Sequence, residues 1–183
     1  QCEPCSSGGA HRRRYRAGFV NGGNGKVAGL EPRGFKWVIA GRLAISERIG
    51  GYGFQHRRVR REEEIIWLAE QGINTVLSLM PGNQNQAAYE GATLRVFHFP
   101  IEDDLDPEDV GEAFRVLDEA LEYPGASVLV HRELIGDLLV GLMGGYLVHS
   151  GLVKDPIIAT SVIQEISGRP LGPEGRQLIP AAS

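Results

Sequence analysis

The stretch ASVLVHRELIGDLLVGLMGGYLV, residues 126–148, decides the fold of this chain. An apolar run ends at His131-Arg132-Glu133, and apolar residues then return at helical spacing. The pattern predicts a buried strand, a short polar turn and a helix. Many proteins grip a phosphate at such a turn, because backbone amides point out of the start of the helix. The turn is therefore the first place to look for a functional site.

Strands and helices alternate along the rest of the chain. Strands are predicted in FKWVIAG (35–41), INTVLSLM (73–80) and TLRVFHFP (93–100), with a loop in SERIGGYGFQHRR (46–58). Helices are predicted at Val59–Gly72, 85–92, 106–125, Leu134–Ser150, Asp155–Ser167 and near Glu174–Ile179. This alternation predicts an α/β fold with a mostly parallel central sheet flanked by helices. We assign residues 1–34 to a basic, Gly- and Arg-rich arm and residues 35–183 to the folded domain.

Charge is distributed unevenly between the two ends of the chain. Residues 1–61 hold 13 Lys or Arg and 3 Asp or Glu, whereas residues 62–183 hold 6 and 20. One interpretation is that the basic segment packs on the acidic body of its own chain. The other is that HRRRYR (11–16) and QHRRVRR (55–61) bind a polyanion such as nucleic acid.

The only cysteines are Cys2 and Cys5, in a lone C-x-x-C. They could form half of a zinc site or stay unliganded, and the sequence indicates no other cofactor. The longest apolar stretch is interrupted by Asp137 and is too short to cross a bilayer, so we expect no membrane partner. A polar, basic N-terminus without a secretion signal, and a body without cysteines, favour the cytoplasm.

Five segments occur in an order that resembles the small atypical dual-specificity phosphatases of the cysteine-phosphatase superfamily. The segments are WVIAGRLA (37–44), LAEQGINTVLSL (68–79), FHFPIEDDLDPEDV (97–110), SVLVHR (127–132) and SGRPLGPEGRQLI (167–179). The resemblance implies the fold of that superfamily. It also implies a phosphate-binding loop after the strand that ends at His131, and a general acid at Asp103.

The signature of the superfamily, H-C-x-x-G-x-x-R-[ST]-G, can be laid on the sequence from His131. Arg132 then stands at the position of the nucleophilic cysteine, Ile135 at a glycine and Leu138 at the phosphate-binding arginine. Arginine stays protonated and cannot attack phosphorus as a thiolate does. The loop positions are Arg132, Glu133, Leu134, Ile135, Gly136, Asp137 and Leu138. The resemblance therefore implies the fold, and the residues predict a pseudophosphatase that binds a phosphorylated or anionic ligand or acts as a scaffold for a protein partner.

The roles of individual loop residues stay open at this point. Arg132 could bind an anion without hydrolysing it, or it could pair with Glu133, Asp103 or Asp137 in a relaxed loop. In that second case Leu134, Leu138, Leu139 and Leu142 would extend the apolar face of the following helix. Asp103 is either a general acid or part of a solvated acidic loop, and His131 is either a satisfied core histidine or a base. The alternative functions are a non-thiol reaction that uses Asp103, Asp137 or His131, and association with nucleic acid through the arm.

Overall fold

A computed structural model describes residues 29–51, 58–102 and 105–179. Within these ranges each predicted strand and helix is present, and one further strand, Leu43–Glu47, is added. The strands are β1 (Lys36–Ile39), β2 (Leu43–Glu47), β3 (Thr75–Ser78), β4 (Arg95–His98) and β5 (Val128–Arg132). The helices are α1 (Arg58–Glu70), α2 (Gln86–Gly91), α3 (Pro107–Glu122), α4 (Asp137–His149), α5 (Pro156–Ser167) and α6 (Pro173–Gln177).

The strands form one sheet in the order β1-β2-β5-β3-β4. β1 is antiparallel to β2, and every other neighbouring pair is parallel. Side chains alternate between the two faces of β5, so Val128 and Val130 join the core beneath α3 to α6, whereas Leu129 joins the core beneath α1 and α2. The predicted α/β class, with a mostly parallel sheet covered on both faces, is confirmed.

The sequence analysis did not predict β2. It placed one strand before α1 and a loop from Ser46, but the chain turns at Gly41 and returns beside β1. Gly41 has a φ of +68°, a conformation that glycine adopts without steric cost. Leu43, Ala44 and Ile45 are fully buried, and so short an unbroken apolar run carries no alternation that would mark it as a strand.

Helix α4 begins at Asp137, three residues later than predicted. Gly136 precedes it with extended backbone, φ −105° and ψ −177°. Leu134 therefore lies in the loop with 47% of its surface exposed, and the expectation that it extends the apolar face of the helix is wrong. Leu139 and Leu142 are fully buried, and Leu138 packs against the same core.

Helix α6 packs directly on the backbone of α4. A Cβ added to Gly141 would lie 2.5 Å from the Cα of Gly175, so this approach requires glycine at position 141. The contact holds the connection between α5 and α6 beside the first turn of α4. As a result, side chains of that connection can reach the loop after β5.

Candidate functional site

The candidate site lies at the carboxyl edge of the sheet, where ligands bind in folds of this architecture. Arg132 is the last residue of β5, residues 133–136 form the loop, and α4 follows. In the part of the chain that the structure describes, no side chain caps the N-terminus of α4. The sequence prediction of a strand, a turn and a helix at this place is confirmed. Positions 132–138 are therefore together at one edge.

Both carboxylates of the loop pair with arginines from distant elements. Arg48, which follows β2, places Nη1 3.4 Å from Oε2 of Glu133, and its backbone amide donates to the Glu133 carbonyl oxygen at 3.5 Å. Arg169, which follows α5, donates from Nη2 to Oδ1 of Asp137 at 3.0 Å and from Nη1 to the Ile135 carbonyl oxygen at 2.7 Å. These contacts hold the loop from both sides and neutralise its negative charges.

Arg132 is half-buried and donates from Nη2 to the Ile101 carbonyl oxygen at 3.5 Å. The sequence analysis offered three carboxylates as partners for Arg132. Two of them, Glu133 and Asp137, pair with Arg48 and Arg169 instead. The third, Asp103, lies outside the described residues.

The remaining loop residues make apolar contacts and one hydrogen bond within the loop. Ile135 packs against the main core, and a Cβ on Gly34 would lie 2.7 Å from its Cδ1. The segment just before β1 therefore lies on the loop. The amide of Gly136 donates to the Leu134 carbonyl oxygen at 3.1 Å, so this amide is used within the loop.

His131 lies beneath the loop on the side of α1 and α2, and only 1% of its surface is exposed. Its Nε2 is 3.1 Å from the hydroxyl of Tyr89. Burial lowers the pKa of His131 to about 3, with further contributions from the nearby Arg48 and His98. Burial likewise raises the pKa of Tyr89 above its usual range. Both groups are therefore neutral near pH 7, and a neutral histidine with so low a pKa is a poor general base.

Further polar residues shape this edge, among them Glu64 and Asn85, which the sequence analysis did not single out, and Arg60, which it placed in the basic stretch 55–61. Glu64 is fully buried in α1 and accepts hydrogen bonds from the Gly50 amide and from Nε of Arg60, each at 2.6 Å. Asn85 donates from Nδ2 to the Ile49 carbonyl oxygen at 2.8 Å. Together with Arg48, these contacts hold residues 48–51 beside the loop.

The sequence carried only local signals for these residues. Arg60 and Glu64 stand four apart on one helix, as do Asn85 and Tyr89, and this spacing places both members of a pair on one face. Nothing local links Arg48 or Arg169 to the loop.

Three predicted features cannot be located in the structure. Cys2 and Cys5 lie outside the described residues, as do Asp103 and the basic stretch 11–16. Among the residues that the structure does describe, no cluster of three or more His, Cys, Asp or Glu could hold a metal ion. In the same part of the chain no helix has the length and apolarity needed to cross a bilayer.

Similar folds occur among solved phosphatase structures. The Tk-PTP structure in its active form has a TM-score of 0.59 at 19% identity, over 80% of this chain and 92% of that chain. The core catalytic domain of the PP-IP phosphatase SIW14 from S. cerevisiae, in complex with citrate, has a TM-score of 0.61 at 13% identity, over 85% and 89%. The chain has the fold of the dual-specificity and tyrosine phosphatases.

A third solved phosphatase structure has the same fold. Kinase associated phosphatase, with its catalytic cysteine replaced by serine, has a TM-score of 0.61 at 17% identity, over 81% of this chain and 92% of that chain. Neither a family model nor a curated sequence matches the chain. Identities this low show a shared fold, and the activity has to be argued from the residues of the loop.

Proposed function

We propose that this phosphatase-fold protein does not hydrolyse phosphate esters and acts as a non-catalytic binding or scaffold module. The observation that carries the proposal is Arg132 at the end of β5, in the position that aligns with the cysteine nucleophile. The only thiols of the chain are Cys2 and Cys5, more than a hundred positions away in sequence. Guanidinium stays protonated and has no lone pair to offer phosphorus, so the chemistry of the superfamily has no nucleophile here.

The ion pairs of the loop support a binding role over a hidden hydrolytic one. A phosphoryl group needs a guanidinium fork and free amides, but Leu138 stands at the arginine position. Arg48 and Arg169 are engaged by Glu133 and Asp137. A phosphorylated or anionic ligand would have to displace these carboxylates. We therefore favour a protein partner that recognises the loop with these ion pairs in place. An anion bound near Arg132 is the second form of the proposal.

A non-thiol reaction is the alternative that the geometry supports least. His131 is neutral, deeply buried and engaged by Tyr89. Asp137 is paired with Arg169. A general base must reach the proton that it removes, and only 1% of the surface of His131 is exposed.

The decisive experiment is hydrolysis of para-nitrophenyl phosphate by the purified chain, with Arg132→Ala and Asp103→Asn variants in parallel. We expect the wild type and both variants to be indistinguishable from buffer. Turnover by the wild type that either variant abolishes would refute the proposal and would mean that the loop works without a thiol.

Phosphate and tungstate distinguish the two forms of the proposal. If the loop binds an anion, millimolar oxyanion raises the melting temperature of the wild type and not that of Arg132→Ala. If the ion-paired loop binds a protein partner instead, the melting temperature of neither protein changes.

Association with nucleic acid through the arm stays a separate hypothesis from the sequence. It predicts RNA binding that weakens steeply with salt and disappears when residues 1–30 are deleted.

A further inference from the structure

A row of polar side chains crosses the sheet directly beneath the loop. In register, Ser46 of β2 lies beside His131 of β5, His131 beside Ser78 of β3, and Ser78 beside His98 of β4. Alternation along the strands turns these side chains to the face covered by α1 and α2. Ser46, Ser78 and His131 are all buried, so each of their polar atoms requires a partner.

The hydrogen bonds around Tyr89 favour one tautomer of His131. Nδ2 of Asn85 donates to the Ile49 carbonyl oxygen at 2.8 Å and to the Tyr89 hydroxyl at 3.3 Å. The Tyr89 oxygen accepts from Asn85, and donation of its own proton to Nε2 of His131, 3.1 Å away, gives both groups a partner. His131 is neutral, so an accepting Nε2 requires the proton to be on Nδ1.

In that arrangement His131 and Ser78, at neighbouring positions, each offer a proton for which the described residues show no acceptor. Nδ1 of His131 is buried and has no hydrogen-bond partner within residues 29–51, 58–102 and 105–179. The hydroxyl of Ser78 accepts from the Met80 amide at 3.4 Å, which leaves its proton to be donated. Ser46 differs, because its hydroxyl already donates to the Glu47 carbonyl oxygen at 2.8 Å.

A small cavity is lined by both His131 and Ser78. Its wall includes Arg48, Ser78, His98 and His131, and no Asp or Glu is among the described residues that line it. The volume of the cavity that the centre of a water molecule can occupy is about 10 Å³. One buried water needs about this volume. The cavity therefore has the size of a single small acceptor, and Arg48, the ion-pair partner of Glu133, brings one guanidinium group to its wall.

We propose that this cavity binds one water-sized hydrogen-bond acceptor, held by Nδ1–H of His131 and the hydroxyl proton of Ser78. Water and a monatomic anion such as chloride share this chemistry. The acceptor completes the hydrogen bonding of the residue immediately before Arg132, and it thereby fixes the point from which the loop starts. The site lies beneath the loop and does not depend on whether the loop hydrolyses, binds or ignores phosphate.

A crystal soaked in sodium bromide tests the proposal, because bromide scatters anomalously and water does not. An anomalous peak within hydrogen-bond distance of both donor atoms supports an anion site, and an ordered water there without bromide supports a water site. Density that shows an empty cavity, or an acceptor that touches neither donor, overturns the proposal. The ¹⁵N shifts of the His131 ring give a second test in solution, since the proposal fails if the proton is on Nε2.

The two buried serines provide matched variants. If the occupant is chloride, replacing gluconate by chloride at a tenfold excess over the dissociation constant raises the melting temperature by about 3–6 °C. Ser46→Ala is expected to retain this rise and Ser78→Ala to lose most of it. Loss of the rise in both variants, or in neither, contradicts the assignment of Ser78 as a ligand. If the occupant is water, high-resolution structures are expected to show it retained in Ser46→Ala and displaced in Ser78→Ala.

Discussion

Acidification tests the burial of His131, because its pKa lies near 3 in the folded protein against about 6.5 in an unfolded chain. A folded-state pKa that is lowered means that the unfolded chain takes up the proton first as pH falls. The stability associated with neutral His131 is therefore fully present above about pH 7 and is lost progressively down to about pH 3. Between about pH 7 and pH 5 the expected loss is about 2 kcal/mol in the free energy of unfolding.

Other groups also titrate in this range, so the prediction is a difference between two proteins. His131→Gln removes the titration and keeps an acceptor within reach of the Tyr89 hydroxyl. Urea unfolding at both pH values, followed by the fluorescence of Trp37 and Trp67, gives the loss for each protein. We expect the wild type to lose about 2 kcal/mol more than the variant between these pH values.

Tyr89→Phe is the control for the hydrogen bond itself. It removes the bond to Nε2 but leaves the imidazole buried, and burial is the largest cause of the lowered pKa. The variant is expected to lose about 1–2 kcal/mol of stability at both pH values and to keep the pH dependence of the wild type. If wild type and His131→Gln lose equal stability on acidification, His131 is not buried in its neutral form and the description of the site is wrong.

Three further predictions concern the loop and the packing that supports it. Arg169→Gln is expected to lower the free energy of unfolding by about 1–2 kcal/mol, a value discounted for partial exposure, and to speed amide exchange in residues 133–137. The control Arg115→Gln, on the surface of α3, is expected to do neither. Unchanged exchange in Arg169→Gln would show that Arg169 does not hold the loop. Gly141→Ala is expected to lower the free energy of unfolding by about 1–3 kcal/mol by overpacking. The control Gly111→Ala, in open space within α3, is expected to raise it by about 0.5–1 kcal/mol. A stabilised Gly141→Ala would disprove the close contact between α4 and α6. Asp106→Ala removes a capping box and is expected to cost about 1 kcal/mol in thermal or urea unfolding, so an unchanged stability would contradict the cap.

Much of the fold could be predicted because its central strands are continuous apolar runs. β3 and β5 lie in the middle of the sheet and are buried on both faces, so sequence alone marks them clearly. β2 was missed because its five residues follow β1 after a short turn and show no alternation. The start of α4 was misplaced because Leu134 fits the helical period, and only the extended backbone at Gly136 shows that the helix begins later.

The loop was located from the sequence, but its contacts were not. Arg48 is 85 positions from Glu133, and Arg169 is 32 positions from Asp137. No periodicity connects residues so far apart, and the sheet order and the packing of α6 on α4 bring them together. The role of Tyr89 was missed for the same reason, since α2 reaches β5 only across the face of the sheet.

The ion pairs of the loop change what the loop can offer a ligand. Glu133 and Asp137 would repel a phosphoryl group if they were unpaired, and their pairing with Arg48 and Arg169 removes that repulsion. The same pairing occupies the guanidinium groups that could otherwise hold an anion. It also fixes the loop in one conformation, because each arginine contacts a loop backbone atom as well as a carboxylate. A loop held in this way is consistent with the proposed recognition of a partner and leaves little charge exposed for the proposed alternative of catalysis.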